Sequence, residues 1–229
     1  MVMAVKRLIP VTMVLVAAMA GLGLAAPGGA KAYNGTTAAS YADQHWKECD
    51  SRFGNIQPPS PYVCVQNNCT NFASRVMAAG GNPQVIDSGG PDNWYYWNSA
   101  VYSNSWVLVP SLYFFLLIYE RDAGHPGGTV RADFVGVTAS QQYDALLKGD
   151  LIFMDYGNNG SLDHMRVEAG CGDPGYRGYD AAYGGAYGAV GDWADQQTYS
   201  RYHDFWNGYY QMDATTAKYV RIIEVHVNS

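Results

Sequence analysis

Basic residues are scarce in this chain: 14 Lys and Arg stand against 20 Asp and Glu over 229 residues. Both nucleic acid and anionic lipid need a basic surface to neutralise phosphate, so the balance argues against either as the main partner. Long apolar runs are absent beyond about Leu24, so no later stretch can span a bilayer. A complete calcium loop is missing too. Asp155, Asn159 and Gly160 fall at positions 1, 5 and 6 of an EF-hand-like spacing, but Gly157 and Arg166 stand where two principal ligands belong. That stretch is expected to be a hairpin turn. Cysteine is limited to Cys49, Cys64, Cys69 and Cys171. These allow two disulfides in any of three connectivities, or one disulfide and a reactive thiol with one cysteine left over.

What is present begins with Lys6-Arg7, an apolar run from Leu8 to about Leu24, and Ala30-Lys31-Ala32. This is the pattern of a secretory signal peptide, residues 1–32, cleaved after Ala32. The expected product is a single exported domain, 33–229, long enough to bury a sizeable core. Without Lys6, Arg7 and Lys31 the basic residues fall to 11 against 20 acidic ones, a net charge of about −9. Export also places the cysteines where disulfides persist. Nineteen Tyr, six Trp and 26 Gly suggest loops with aromatic lining, as in extracellular glycan or peptide binders.

The most informative stretch runs from Asn67 to Met77. Cys69, Phe72, Ala73, Val76 and Met77 recur at a helical period, with Asn67 or Asn68 able to cap the start and Gly80-Gly81 to end it. A cysteine in that first turn feels unpaired amides and the positive end of the helix, which favour thiolate. The plain alternative makes Cys69 a disulfide half or a small apolar residue. If Cys69 is the nucleophile, Cys49–Cys64 is the preferred bond, since both lead into the helix.

Around this helix, residues 33–49 read as an N-terminal helix and Pro110 to Arg121 as another, with Leu112, Phe115, Leu116 and Tyr119 on its core face. Asn93-Trp94-Tyr95-Tyr96-Trp97 fits neither period; it suits a stacking surface for sugar or peptide, or an aromatic cap over the core. Leu151 to Met154 and His164 to Ala169 read as strands. In the second, His164, Arg166 and Glu168 share one face and Met165, Val167 and Ala169 the other. Residues 170–191 read as a Gly/Tyr/Asp-rich loop, Asp192 to Thr198 as a strand, Tyr199 to Trp206 as an aromatic helix or turn, and Lys218 to Val227 as a last strand with Ile223, Val225 and Val227 inward. His45 and His203 are assigned structural roles, and His125 none.

Taken together, Asn68-Cys69-Thr70-Asn71-Phe72 with Ala79-Gly80-Gly81 resembles the Asp-Cys-Thr-Asn-Phe…Gly-Gly signature of the bacterial putative amidase domain family. Asn93-Trp94-Tyr95-Tyr96, Ser105-Trp106, Gly149-Asp150-Leu151-Ile152, Asp163-His164, Asp195-Gln196-Gln197-Thr198 and Arg201-Tyr202-His203 extend the likeness, in order, over nearly the whole exported chain. That family is related to the NlpC-type and CHAP cell-wall peptidases. The resemblance implies an α+β, papain-like domain whose nucleophile-bearing helix packs on a small antiparallel sheet. It implies Cys69 as nucleophile, His164 as base and Gln197 at the position that orients the imidazole. The expected substrate is a peptide or peptidoglycan-type amide, the expected state a secreted monomer without membrane attachment.

Such chemistry uses a thioester intermediate and needs no metal or organic cofactor. Three departures stand out. Asn68 replaces the family's Asp, Gln197 replaces the His of a His-Thr or His-Ser pair, and Arg166 and Glu168 share the His164 face. Arg166 opposes imidazolium unless Glu168 neutralises it. These departures favour an alternative, a binding module that keeps the fold without catalysis.

Overall fold

The computed structural model describes residues 32–66, 68–86, 93–118, 127–138, 146–170, 179–180, 185–186, 192–206, 208 and 212–228. The expected signal peptide, Cys171, His125 and most of the 170–191 stretch lie outside them.

Five helices and ten strands are described, in the order α1 (Gly35–His45), α2 (Cys69–Ala79), β1 (Tyr96–Asn98), β2 (Val101–Tyr102), α3 (Asn104–Val107), α4 (Val109–Ile118), β3 (Gly128–Val135), β4 (Leu151–Asp155), β5 (His164–Gly170), β6 (Tyr179–Asp180), β7 (Gly185–Ala186), β8 (Trp193–Gln196), β9 (Arg201–Phe205), α5 (Ala214–Tyr219) and β10 (Arg221–Val227). Eight strands form one sheet in the order β3-β10-β4-β5-β8-β9-β6-β7, and every pairing is antiparallel. No helix among the described residues is long and apolar enough to cross a membrane.

Both faces of the central strands are covered. On one, α1, α2 and α4 pack Ala42, Phe72, Val76 and Phe115 against Phe153, Met165, Val167 and Ile223. On the other, Ile152, Met154 and Ile222 meet Trp193, Trp206 and Val220. This accounts for β4, whose five residues are all buried and read as a continuous run rather than an alternation.

α1 starts at Asn34, whose side chain accepts from the Thr37 N–H at 2.9 Å. Tyr33, just ahead of it, is already keyed into the fold: its hydroxyl donates to Gly149 O at 2.8 Å. A Cβ at Gly80 would lie 2.3 Å from the Tyr33 ring, and one at Gly149, whose φ is +86°, 2.6 Å from its hydroxyl. Only glycine leaves that slot open.

Two readings are corrected. Residues 201–205 form a strand, not a helix or turn, because β9 pairs along β8 from Gln196↔Arg201 to Trp193↔Phe205. Non-local pairing overrides local pattern there. The second concerns the aromatic run, which does follow a strand pattern; of its two expected roles, Trp94 and Tyr96 take the cap over the core. Trp94 and Tyr96 are buried while Trp97 is exposed, a strand-like alternation realised in the β1–β2 pair and the Val85↔Trp94 bridge. The hairpin turn after β4 is present, with the Asp155 carboxylate accepting from the Asn159 and Gly160 N–H groups at 3.1 and 2.7 Å.

Candidate active site

α2 begins at Cys69, as its period requires, and ends at Gly80-Gly81 as expected, but the Asn68 cap does not form. Asn68 makes no side-chain cap bond, and Gly80 keeps right-handed backbone while Gly81, φ +106°, takes the left-handed turn. Asn68 is occupied elsewhere. Its Oδ1 accepts from Val65 N–H at 3.3 Å and from Asn71 Nδ2 at 2.7 Å, and its Nδ2 donates to Gln197 Oε1. Asn71 in turn donates to Val63 O at 3.0 Å and accepts from Trp106 Nε1 at 2.9 Å; Trp94 Nε1 donates to Ser74 Oγ at 3.0 Å. The buried tryptophans therefore act as fixed pegs for the helix that carries the thiol.

Cys49 and Cys64 form a disulfide with Cα atoms 5.3 Å apart, and Cys69 keeps its thiol. The backbone N–H groups of Thr70 and Met165 are directed to the sulfur, which lies 3.9 Å from Thr70 Oγ1. Met165 directly follows His164, so the thiol sits at the head of β5, beside the imidazole-bearing residue. Cys69 is nonetheless only 2% exposed. Burial outweighs the amides that favour thiolate and pushes the thiol above its ordinary range.

His164 is buried as well. Desolvation first, then the Arg166 charge, hold its imidazole down to about 4, with the Gln196 amide pulling the other way. Among the described residues, neither His164 Nε2 nor Gln196 Oε1 completes a hydrogen bond of normal geometry, and both are buried. The resting pair is thiol and neutral imidazole, not an ion pair. The expected relief from Glu168 does not occur. Burial and the neighbouring Asp192 push Glu168 well above the carboxylate range, its Oε1 accepts from the Trp193 N–H at 3.2 Å, and Arg166 pairs with Asp204 at 2.9 Å.

Gln197 does not orient the imidazole. β8 ends at Gln196, the chain turns there, and the two glutamines point to different surroundings. Gln196 donates to Thr198 O at 3.3 Å and Tyr199 O at 2.9 Å and faces the His164 side. Gln197 Nε2 donates to His45 O at 2.5 Å, while its Oε1 accepts from Arg75 Nη2 at 2.9 Å as well as from Asn68. Arg75 continues to Glu48 at 2.6 Å, and Glu48 to His45 Nδ1 at 2.5 Å. Gln197 thus belongs to a buried polar chain joining α1, α2 and the end of β8. The two sequence departures, Asn68 and Gln197, are partners in space. They form a neutral amide pair at the start of α2.

Two openings lie near the site, one bordered by His164 and the other by Asn68, and Cys69 lines neither. A cleft of about 470 Å³ is lined by Tyr156, His164, Gln196, Tyr199, Arg201 and Met212, among others. A second, about 410 Å³, is lined by Asp50, Arg52, Val65, Asn68 and Tyr199. Thr198 and Tyr199 border both, with left-handed backbone at φ 62° and 60°, and Tyr199 is exposed. Gln196, Tyr156 and Asp204 are residues that sequence reasoning missed. Only the need of a buried Arg166 for an acidic partner pointed toward Asp204.

The buried neutral imidazole makes a measurable demand on stability. Its proton affinity is depressed in the fold, so its contribution is present above the unfolded value of 6.5 and is lost as pH falls through about 4. Urea unfolding at pH 7 and pH 4 is expected to show wild type losing about 3 kcal/mol more than His164→Gln. Equal losses would mean that the imidazole is solvated and ordinary.

The family described as a putative amidase domain matches residues 32–221. The uncharacterized protein YhbB of Bacillus subtilis (strain 168) is 27% identical over 135 residues, 59% of this chain and 36% of that protein. The chain thus spans about a third of the length of that relative. No solved structure matches.

Proposed function

The chain belongs to the putative amidase domain family, and from that membership we propose that it is a cysteine amidohydrolase, with Cys69 as nucleophile and His164 as base. The observation that carries the reading is the thiol at the first turn of α2 accepting the N–H of Met165, next to His164 on β5. A helix-borne cysteine packed on an antiparallel sheet, with histidine on the adjoining strand, also supports a papain-like arrangement related to NlpC-type and CHAP peptidases.

Because both groups rest neutral, His164 takes the thiol proton as the sulfur attacks the amide carbonyl, rather than holding a preformed thiolate. The carbonyl oxygen gains the negative charge, and the Cys69 backbone N–H is the proposed donor to it. Collapse breaks the C–N bond, His164 returns the proton to the leaving amine, and a thioester remains. Water, giving its proton to His164, then releases the acid and regenerates the thiol. Gln196 is the residue suited to steady the imidazole, by the amide contact described above.

The substrate class we propose is a peptide amide of the cell-wall type, met outside the cell by a monomer beginning near Tyr33. The Tyr33 slot supports that boundary, since the first residue after the expected cleavage is already built into the fold. A second reading, a non-catalytic module that binds amides in the cleft, draws on the 2% exposure of Cys69 and the low basicity of His164. Acid quenching during incubation with cell-wall peptides, followed by peptide mass spectrometry, separates the two. An acyl adduct on Cys69 is expected; binding with no adduct and no product selects the module.

A further inference from the structure

Near the candidate active site, but outside it, lies a second cluster that amide hydrolysis does not use. Asp43 on α1, Asp195 on β8 and His203 on β9 each bring a donor atom within 4.8 Å of the other two. His203 Nε2 is 2.6 Å from Asp43 Oδ1, and the His203 backbone N–H donates to Asp195 Oδ1 at 2.8 Å. Asp195 is fully buried, its carboxyl faces that of Asp43, and its Oδ2 has no hydrogen-bond partner among the described residues. A buried carboxylate oxygen without a donor is costly, and two carboxylates sharing a space repel unless a proton or a cation lies between them.

We propose that Asp43, Asp195 and His203 form a zinc site, three protein ligands with the fourth position open to water. Two carboxylates and one neutral imidazole carry a charge of −2, which a divalent ion balances. A mixed oxygen and nitrogen set of three, completed by water, suits zinc, whereas calcium and magnesium favour oxygen alone. Asp43 is about a third exposed on its side chain, which gives the ion an entrance. The bound ion staples α1 to β8 and β9. Asp195 immediately precedes Gln196 and Gln197, so the staple also sets the strand end that reaches His164 on one side and Asn68 on the other. The role is positional; catalysis remains with Cys69 and His164.

The test uses the purified protein with the Cys49–Cys64 disulfide intact and Cys69→Ser, which removes the competing thiol. Stripped of metal and titrated with zinc in a calorimeter, it is expected to bind one equivalent with Kd of about 1 μM or tighter. Loss of even an outer partner of a metal site costs roughly 10–100-fold in affinity, so Asp43→Asn and His203→Gln, each checked for folding by circular dichroism, are expected to weaken binding by about 100-fold or more. His164→Gln is expected to bind as before. The proposal is overturned if the folded protein binds zinc no tighter than about 100 μM. It is equally overturned if Asp43→Asn and His203→Gln bind unchanged, or if His164→Gln is the variant that loses the ion.

Discussion

Cys69→Ala is expected to lower amide hydrolysis by about 10⁴-fold or more, because no other group in the site can form the acyl intermediate. The fold should survive. Cys69 is a small residue on a helix otherwise held by Phe72, Val76 and Met77 in the core and by Asn71 and Ser74 on the tryptophans. Deleting one buried sulfur should cost only about 1 kcal/mol, in line with small core truncations. Cys69→Ser, nearly isosteric, should be as inactive, which separates nucleophilicity from packing. Steady-state hydrolysis beside thermal unfolding makes the comparison. A folded Cys69→Ala variant within tenfold of wild type would end the cysteine mechanism.

Arg166→Met should produce the largest loss of stability among single substitutions near the site, about 3–5 kcal/mol. Arg166 and Asp204 are both fully buried and paired at 2.9 Å, so removing the guanidinium takes its counter-charge from a carboxylate in the interior. Adding Asp204→Leu should restore most of the loss, since an apolar pair of similar volume needs no desolvation. The same substitution has a second, independent signature. Arg166 helps hold His164 near 4, so its removal should raise the imidazole and shift the acid limb of activity upward from about pH 4. Urea unfolding measures the first effect and proton NMR titration of the ring the second. An unchanged ring titration in a folded variant would assign the depression to burial alone.

Much of this was legible in the sequence because it rests on period and local chemistry. The helical spacing of Cys69, Phe72, Val76 and Met77 needs only one face to be apolar, and α2 follows it. Strands β4, β5 and β10 follow from their apolar runs and alternation, and the Met165/Val167 face, read as distinct from that of His164, proves to be the one that meets the helices. Hydrophobic burial has no sequence range, but the pattern that permits it does.

The site was legible only in part. Arg166 opposing the imidazole followed from their shared strand face, and it holds. That Glu168 would neutralise Arg166 did not, because Asp192 lies beside Glu168 and Asp204 beside Arg166, across strands that local spacing cannot align. Gln197 was placed one residue away from the side chain that meets His164. Successive residues on an extended chain face opposite ways, so a slip of one exchanges every partner.

The chain's own pattern determined that most segments are helix or strand, which face of several is apolar, and that a cysteine opens a helix; that a histidine-bearing strand lies beside it came only from the family resemblance. Tertiary structure alone decided protonation and partnership: a resting neutral thiol and imidazole, Arg166 bound to Asp204, Asn68 bound to Gln197, and Asp43, Asp195 and His203 drawn together. The reason is that periodicity is encoded within a few residues, whereas desolvation and charge pairing depend on groups more than 30 residues apart in sequence, as Arg166 is from Asp204 and Asn68 from Gln197.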